Sequence, residues 1–161
     1  MEITKQLLHE LFEYRDGVLF WKVDRRGNKL KGKRACRPTI HGYQMVTICK
    51  KKHYAHRVIF MMFHGRWPIQ VDHIDGDRSN NLISNLREAN NAQNNRNTGL
   101  RSTNRTGFKG VSYYRTINRY IARITVNYKN IHIGCFRTAE EAHEAYKKVA
   151  SELHGDFARF T

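Results

Sequence analysis

The stretch Val71–Asn97, VDHIDGDRSNNLISNLREANNAQNNRN, sets the tightest limit on the fold. Asparagine recurs at 80, 81, 85, 90, 91, 94, 95 and 97, and apolar side chains are too sparse for a buried element. Ile69–Ile74 predicts a strand with Asp72 and His73 at its end. Residues 75–84 are polar and turn-forming, and Asp75-Gly76 forces a tight reversal. Leu86–Glu88 can pair back as a second strand, after which Asn90 or Asn91 caps a short helix that carries Asn94. Strand, loop, strand and helix would bring residues far apart in sequence onto one small site.

What surrounds this stretch narrows its use. The chain has 161 residues, enough for one ordinary domain or two small ones. Hydrophobic residues at 40% allow a packed core and exclude wholesale disorder. The formal net charge is +15. Between Lys22 and Arg57 lie Lys22, Arg25, Arg26, Lys29, Lys31, Lys33, Arg34, Arg37, Lys50, Lys51, Lys52 and Arg57, against the single acid Asp24. A chain so charged repels itself unless a polyanion neutralises it, so nucleic acid is the natural partner; a solvated or ribosome-like basic surface is the alternative. Cys36, Cys49 and Cys135 are odd in number and form no Cys-x-x-Cys pair. That argues against a disulfide framework or a cysteine zinc site and for reduced thiols in a cytosolic compartment. The amphipathic, acid-bearing N-terminus does not read as a signal peptide, and the apolar run Val58–Phe63 is far too short to span a bilayer.

Along the chain, residues 3–14 have helical spacing with Thr4 as a cap, Arg15-Asp16-Gly17 reads as a turn, and Val18–Trp21 as a strand. Residues 24–38 form a basic, turn-rich loop. Gly42–Ile48 predicts a strand, Lys50–Lys52 a turn, and His53–Phe63 a helix ended by His64-Gly65 and Pro68. His56 on that helix is expected to be a hydrogen-bonded structural histidine rather than a metal ligand. Residues 98–106 lack periodicity and suggest a linker. Beyond it, Val111–Tyr114, Tyr120–Val126 and Asn130–Phe136 predict strands, and Thr138-x-x-Glu141 is a capping box that opens a helix with its apolar stripe at Ala139, Ala142, Tyr146, Val149 and Leu153. A three-stranded antiparallel sheet crossed by one helix lets each element bury its apolar face.

The central residues have a matching chemistry. Hydrolysis of a phosphodiester needs a base for water, an electrophile for the developing charge, and something to hold the base in line. His73 can be the base, since an imidazole side chain suits proton transfer near neutral pH. Asp72 is a hard oxygen ligand suited to Mg²⁺ or Mn²⁺, Asn94 offers a second oxygen, and Asn85 can hydrogen-bond across the loop to orient His73. The same residues could also form a turn-rich acidic loop that binds Ca²⁺, although the spacing is not that of an EF-hand.

Asp72-His73, Asn85 and Asn94, set in AHRVIFMMFHGRWP and VDHIDGDRSNNLISNLREANNAQNNRN, resemble the motif of the phage HNH homing endonucleases, in the branch where Asn replaces the last His. The resemblance covers roughly residues 14 to 97. It implies a ββα-metal fold, His73 as general base, Asp72 and Asn94 as ligands of one divalent ion, and Asn85 as the residue that orients the His73 segment. The neutral oxygen of Asn94 would disfavour Zn²⁺ and favour Mg²⁺ or Mn²⁺.

Residues 107 to 160 are similar to the plant ethylene-response-factor (APETALA-type) DNA-binding domain. The landmarks are Gly110-Val111, Ala122-Arg123-Ile124, Ile133-Gly134, Phe136, Thr138–Ala142 and Ala145-Tyr146. Such a domain lays its sheet in the major groove. The resemblance puts Lys109, Ser112, Tyr114, Arg123, Thr125 and His132 at DNA-contacting positions. Ser112, Thr125 and His132 depart from the plant pattern, so the plant target sequence does not carry over.

The expected architecture is therefore α+β. Residues 1–97 form a ββα-metal nuclease domain with a basic DNA-contacting subregion, 98–106 a linker, and 107–161 a small domain of three-stranded sheet plus helix. The expected activity is divalent-metal-dependent DNA cleavage by a monomer that needs double-stranded DNA but no membrane or small-molecule cofactor. It would act in the cytoplasm of a bacterial host if phage-encoded. The rival reading is a DNA-binding transcriptional regulator with an inactive nuclease module.

Overall fold

The computed structural model describes residues 2–25, 27–127 and 129–160, and the chain divides into two compact units, Met1–Asn90 and Asn91–Thr161. The break lies before the 98–106 segment in which the sequence suggests a linker. Small antiparallel sheets and short helices make up both units.

In the first unit, α1 (Lys5–Leu11) starts where the Thr4 hydroxyl accepts the Leu7 N–H at 3.2 Å. Apolar spacing would carry this helix through residue 14, but the chain turns extended at Phe12. Phe12 pairs with Trp21 in a hairpin of β1 (Phe12–Arg15) and β2 (Val18–Trp21). Burial of Phe12 between helix and hairpin outweighs the local preference. Asp16 and Gly17 turn this hairpin with φ of 44° and 81°, the mirror-image turn that suits the twist of paired strands.

Next come β3 (Arg37–Pro38), β4 (Gln44–Ile48) and β5 (Lys51–Tyr54), in a three-stranded sheet with β4 central. The turn between β4 and β5 is Cys49-Lys50, both at positive φ, so Lys51 and Lys52 lie in a strand and not in the expected turn. Helix α2 (Ala55–His64) therefore begins later than His53. It sends Val58, Ile59 and Met62 into a core shared with Leu8, Phe12, Leu19 and Ile48. Each fully buried side chain of this size contributes roughly 1.5–3 kcal/mol.

The end of α2 is satisfied from two sides. Gly65, at φ 75°, returns its N–H to the Met61 carbonyl at 2.9 Å. The Met62 and Phe63 carbonyls receive His9 Nε2 and Lys5 Nζ from α1, each at 3.0 Å. From the same helix, Arg57 donates to the Ile69 and Pro68 carbonyls at 2.9 and 2.8 Å, anchoring the approach to β6 (Gln70–His73). β6 pairs antiparallel with β7 (Leu86–Ala89), with Asp72 opposite Arg87 and His73 opposite Leu86.

The second unit opens with α3 (Asn91–Arg96). It continues through β8 (Val111–Tyr114), β9 (Arg119–Val126) and β10 (Lys129–Phe136), with β9 central, to α4 (Ala139–His154). Thr138 and Glu141 make the reciprocal capping box, and Ala142, Tyr146 and Ala150 of α4 pack on Val111, Ala122 and Ile124. Gly110, at φ 76°, lets the chain pass flat against Tyr146: a Cβ there would lie 2.1 Å from a ring carbon. Among the described residues no helix is long and apolar enough to cross a membrane.

Candidate active site

Alternation along β6 turns Asp72 and His73 to different neighbours. Asp72, 4% exposed, meets its cross-strand partner: Arg87 Nε and Nη2 both donate to Asp72 Oδ2, at 2.8 and 2.7 Å. His73, 5% exposed, faces α2 and the β4 side of the unit. Its ring meets His56 edge-on, with centroids 5.0 Å apart, and lies 6.1 Å from the Tyr43 ring. Arg78 stacks over the other neighbourhood of Tyr43, with its guanidinium carbon 5.0 Å from that ring centroid.

The loop between the two strands is a dense hydrogen-bonded turn. Asp75 accepts from Asn80 Nδ2 at 2.7 Å, from the Asp77 N–H at 2.8 Å and from Asn85 Nδ2 at 2.9 Å. Burial works to raise the Asp75 pKa, but the bonds from Asn85 and Asn80 outweigh it and hold the carboxyl below its ordinary value. Asp77 is lowered by the Ser79 backbone N–H and hydroxyl. Asn85 serves both ends of the turn. Its side-chain oxygen accepts the Asp75 N–H at 3.1 Å, and its carbonyl accepts the Ile74 N–H at 2.9 Å. Its amide thus clasps the residues that directly follow His73.

The imidazole has a different partner. His73 Nε2 lies 3.1 Å from Asn81 Oδ1. Asn81 is 2% exposed, and its Nδ2 donates to the Ser79 carbonyl at 3.2 Å, which fixes which end of the amide faces the histidine. An amide oxygen can only accept, so Nε2 carries the proton and Nδ1 carries the lone pair. A neutral His73 in this tautomer presents Nδ1 as its basic atom.

His56 is neither the hydrogen-bonded histidine expected from sequence nor part of a ligand cluster. Its Nδ1 is buried without a hydrogen-bond partner among the described residues, and its ring stacks on Tyr54 with centroids 5.3 Å apart. Burial, then the neighbouring His73 and Arg57, push its pKa down to about 3, so it is a neutral packing group beside His73.

Asn94 sits half-buried on α3 in the second unit. The carboxylate of Asp72 and the amide oxygen of Asn94 are the hard donors that Mg²⁺ and Mn²⁺ accept. Among the described residues no group of three or more His, Cys, Asp or Glu is placed to hold a metal ion. Carboxylate and amide oxygens suit a hard ion that keeps water and takes phosphate oxygens, better than a closed zinc site.

In the second unit, Ser112, Tyr114, Arg123, Thr125 and His132 are all exposed. The register puts His132 opposite Arg123 and Asn130 opposite Thr125, so these side chains share the sheet face turned away from α4. Thr125 donates to Asn130 Oδ1 at 2.6 Å, and Cys135 Sγ lies 3.7 Å from His132 Nε2. Lys109, the sixth of these residues, is tied within the unit. Its ammonium donates to the Arg96 carbonyl at 2.8 Å and the Thr98 carbonyl at 2.7 Å, closing the end of α3. Burial, then Arg159, lower its pKa to about 8.

A known family covers the segment that contains β6 and β7. The HNH endonuclease family matches residues 53–96. The chain is similar to an uncharacterised HNH endonuclease of Acanthamoeba polyphaga mimivirus, at 38% identity over 106 residues, 64% of this chain and 54% of that protein. It is also similar to Protein 3.8 of Escherichia phage T7, at 32% identity over 90 residues, 56% of this chain and 74% of that protein. The chain carries an HNH endonuclease family domain over residues 53–96. It spans about half the length of the mimivirus HNH protein, and no solved structure matches it. The HNH segment holds Asp72, His73, Asn85 and Asn94 together with two residues that the sequence alone does not single out, Asn81 and Arg87. Asn81 differs from the neighbouring asparagines only in its burial. Arg87 is marked by the strand register alone.

Proposed function

We propose that this protein is a divalent-metal-dependent DNA endonuclease of the homing type, which nicks or cuts DNA by phosphodiester hydrolysis. The observation that carries this reading is the His73–Asn81 pair: a buried imidazole, in an HNH segment, held with Nδ1 as its basic atom. In this reading His73 Nδ1 takes a proton from the attacking water. Asn85 keeps the turn after His73 in place, so that the ring does not have to be ordered when substrate arrives. Asp72 and Asn94 would hold one Mg²⁺ or Mn²⁺ ion. Bound there, the ion would neutralise charge on the phosphate and the leaving oxygen. Arg87 orients the Asp72 carboxylate through its hydrogen bonds to Oδ2.

Residues 107–161 are proposed to be an APETALA-type DNA-docking domain that serves a ββα-metal nuclease domain formed by residues 1–97. Support comes from the net charge of +15 and from Ser112, Tyr114, Arg123, Thr125 and His132 on one exposed face. Double-stranded DNA is the proposed substrate, and a monomer with one such site should nick one strand at a time.

The test is nicking of supercoiled plasmid. Wild-type protein should relax it with Mg²⁺ or Mn²⁺ and not with EDTA, and His73→Ala should slow it about 10²–10⁴-fold, the usual worth of a general base, with DNA affinity retained. The rival, a regulator with an inactive nuclease module, has one feature in its favour: Asp72 Oδ2 accepts from both Nε and Nη2 of Arg87. Such a protein would bind DNA and leave the plasmid intact with either metal.

A further inference from the structure

A second charged surface lies in the C-terminal unit, meeting the sheet face just described at Ser112. A cleft of about 880 Å³ opens beside the start of α4, at the end of the sheet. Arg105, Arg115 and Arg137 line it together with Tyr113 and Tyr120, and Glu140 is the acid among its lining residues. The three arginines come from three separate segments: the loop before β8, the turn after β8, and the residue before the Thr138 cap. All three are exposed, and none of their side chains makes an ion pair or hydrogen bond among the described residues.

The walls of the cleft are fixed. Asn104 Oδ1 accepts the Thr106 and Gly107 N–H groups at 2.9 Å each, and Asn104 Nδ2 donates to the Phe108 carbonyl at 2.9 Å, so the loop bearing Arg105 is tied at both ends. The Arg137 N–H donates to Glu141 Oε2 at 3.2 Å, which holds that segment to α4. Tyr113 donates to Asn118 Oδ1 at 2.6 Å, and its ring lies 5.1 Å from that of Tyr120. Fork-shaped guanidiniums suit phosphate oxygens, and a fixed aromatic face accepts any base by stacking. Retaining three unpaired cations around two tyrosines has no evident benefit to packing.

We infer that this cleft binds a single strand of DNA, with Arg105, Arg115 and Arg137 on successive phosphates and the Tyr113 face under a base. The inference rests on the reading that the protein acts on DNA, and adds a strand-holding site distinct from the cutting site. A nick leaves a strand end that can fray from the duplex, and a separate grip would hold that end during a second cut.

The test uses the full chain in EDTA and fluorescence anisotropy with a labelled 12-nucleotide single strand and a 12-base-pair duplex across a salt titration. Arg105→Gln/Arg115→Gln/Arg137→Gln should weaken single-strand binding at least tenfold at low salt and reduce the salt slope by about 2, near 0.7 for each phosphate that is no longer neutralised. Duplex binding should change less than twofold. Tyr113→Leu should weaken single-strand binding severalfold without altering the slope. These side chains are exposed, so the circular-dichroism melt should be unchanged and a loss of binding is not a loss of fold. The inference is overturned if the triple variant binds the single strand with the wild-type slope. It is also overturned if an acidic Glu-Asp peptide competes as well as the oligonucleotide while Tyr113→Leu has no effect, which describes a general anion patch. Plasmid nicking by the triple variant, measured separately, reports on the nuclease reading without depending on this cleft.

Discussion

Asn81 presents its amide oxygen to His73 Nε2 at 3.1 Å and has its amide nitrogen on the Ser79 carbonyl at 3.2 Å, so one side chain both caps a turn and selects the tautomer of the imidazole. A histidine without that acceptor would share its proton between both nitrogens, and only one form presents Nδ1. Replacing Asn81 by Leu should slow nicking roughly 10–100-fold, the usual cost of losing a ring-orienting partner. Asn81→Asp, which keeps an acceptor oxygen, should retain much of the rate. The decisive readout is the ¹⁵N spectrum of the imidazole: Nε2 protonated in the wild type, a mixture in Asn81→Leu. An unchanged spectrum in Asn81→Leu would remove the tautomer argument whatever the rate did.

The Asp72–Arg87 pair makes a second prediction. Both side chains are largely withdrawn from water, at 5% and 17% side-chain exposure. Removing one partner from a buried pair leaves a charge uncompensated. Arg87→Met should destabilise the first unit by roughly 2–4 kcal/mol, somewhat below the cost for a fully buried pair. Asp72→Asn/Arg87→Met should recover part of the loss, with a coupling on the order of 2 kcal/mol in the double-mutant cycle. Because a cation at Asp72 can replace the missing guanidinium, Mn²⁺ should raise the melting temperature of Arg87→Met more than that of the wild type. Additive single and double variants in urea would show that the two side chains do not depend on each other.

These two relationships mark where the sequence was readable and where it was not. Local chemistry was readable: Asp16-Gly17 turns a hairpin, Thr138 and Glu141 cap α4, and the β6–β7 strands lie where alternation and turn residues put them. Features set by tertiary packing were not. Phe12 has helical spacing but ends α1 because it packs against Trp21, with ring centroids 4.7 Å apart. Cys49-Lys50 turns a hairpin without a glycine or asparagine to announce it. In the site, Asp72 and His73 stand out by type, whereas Asn81 is one asparagine in a run of them until its burial is known. The tie of Lys109 to the Arg96 and Thr98 carbonyls is likewise set by the fold and not by its sequence neighbours.

Gly17 links the N-terminal hairpin to the site. A Cβ on it would come 2.9 Å from the Leu82 nitrogen and 3.0 Å from the Asn81 carbonyl carbon, and its φ of 81° already disfavours a side chain. Gly17→Ala should therefore cost more than backbone strain alone and should displace Asn81. Gly32→Ala is the control, since Gly32 has φ 79° and nothing within 4 Å. Strain alone should cost Gly32→Ala about 1 kcal/mol, while Gly17→Ala should lose roughly twice as much and also nick more slowly. Equal urea midpoints for the two variants would mean that the Asn81–Leu82 backbone yields freely.

His56 should give the first unit a pH dependence that sequence charge does not suggest. Its ring faces Tyr43, Tyr54 and His73, with Arg57 next in the chain, and its pKa falls from the ordinary 6.5 to about 3, chiefly through burial. The unfolded chain therefore takes up this proton before the folded one does. The stabilisation is complete above pH 6.5 and is lost as pH falls toward 3, with a slope of at most about 1.4 kcal/mol per pH unit for one proton. Asp75 and Asp77, whose pKa values are lowered, lose their contribution only below the ordinary carboxylate range. Between pH 6.5 and 4.5 the slope should thus belong mainly to His56, with a smaller part from His53, whose pKa burial also lowers, and His56→Phe should flatten most of it. Urea unfolding at pH 7.5, 6.0 and 5.0 measures this directly. Parallel loss of stability in wild type and His56→Phe would show that the buried imidazole does not govern the acid limit of the unit.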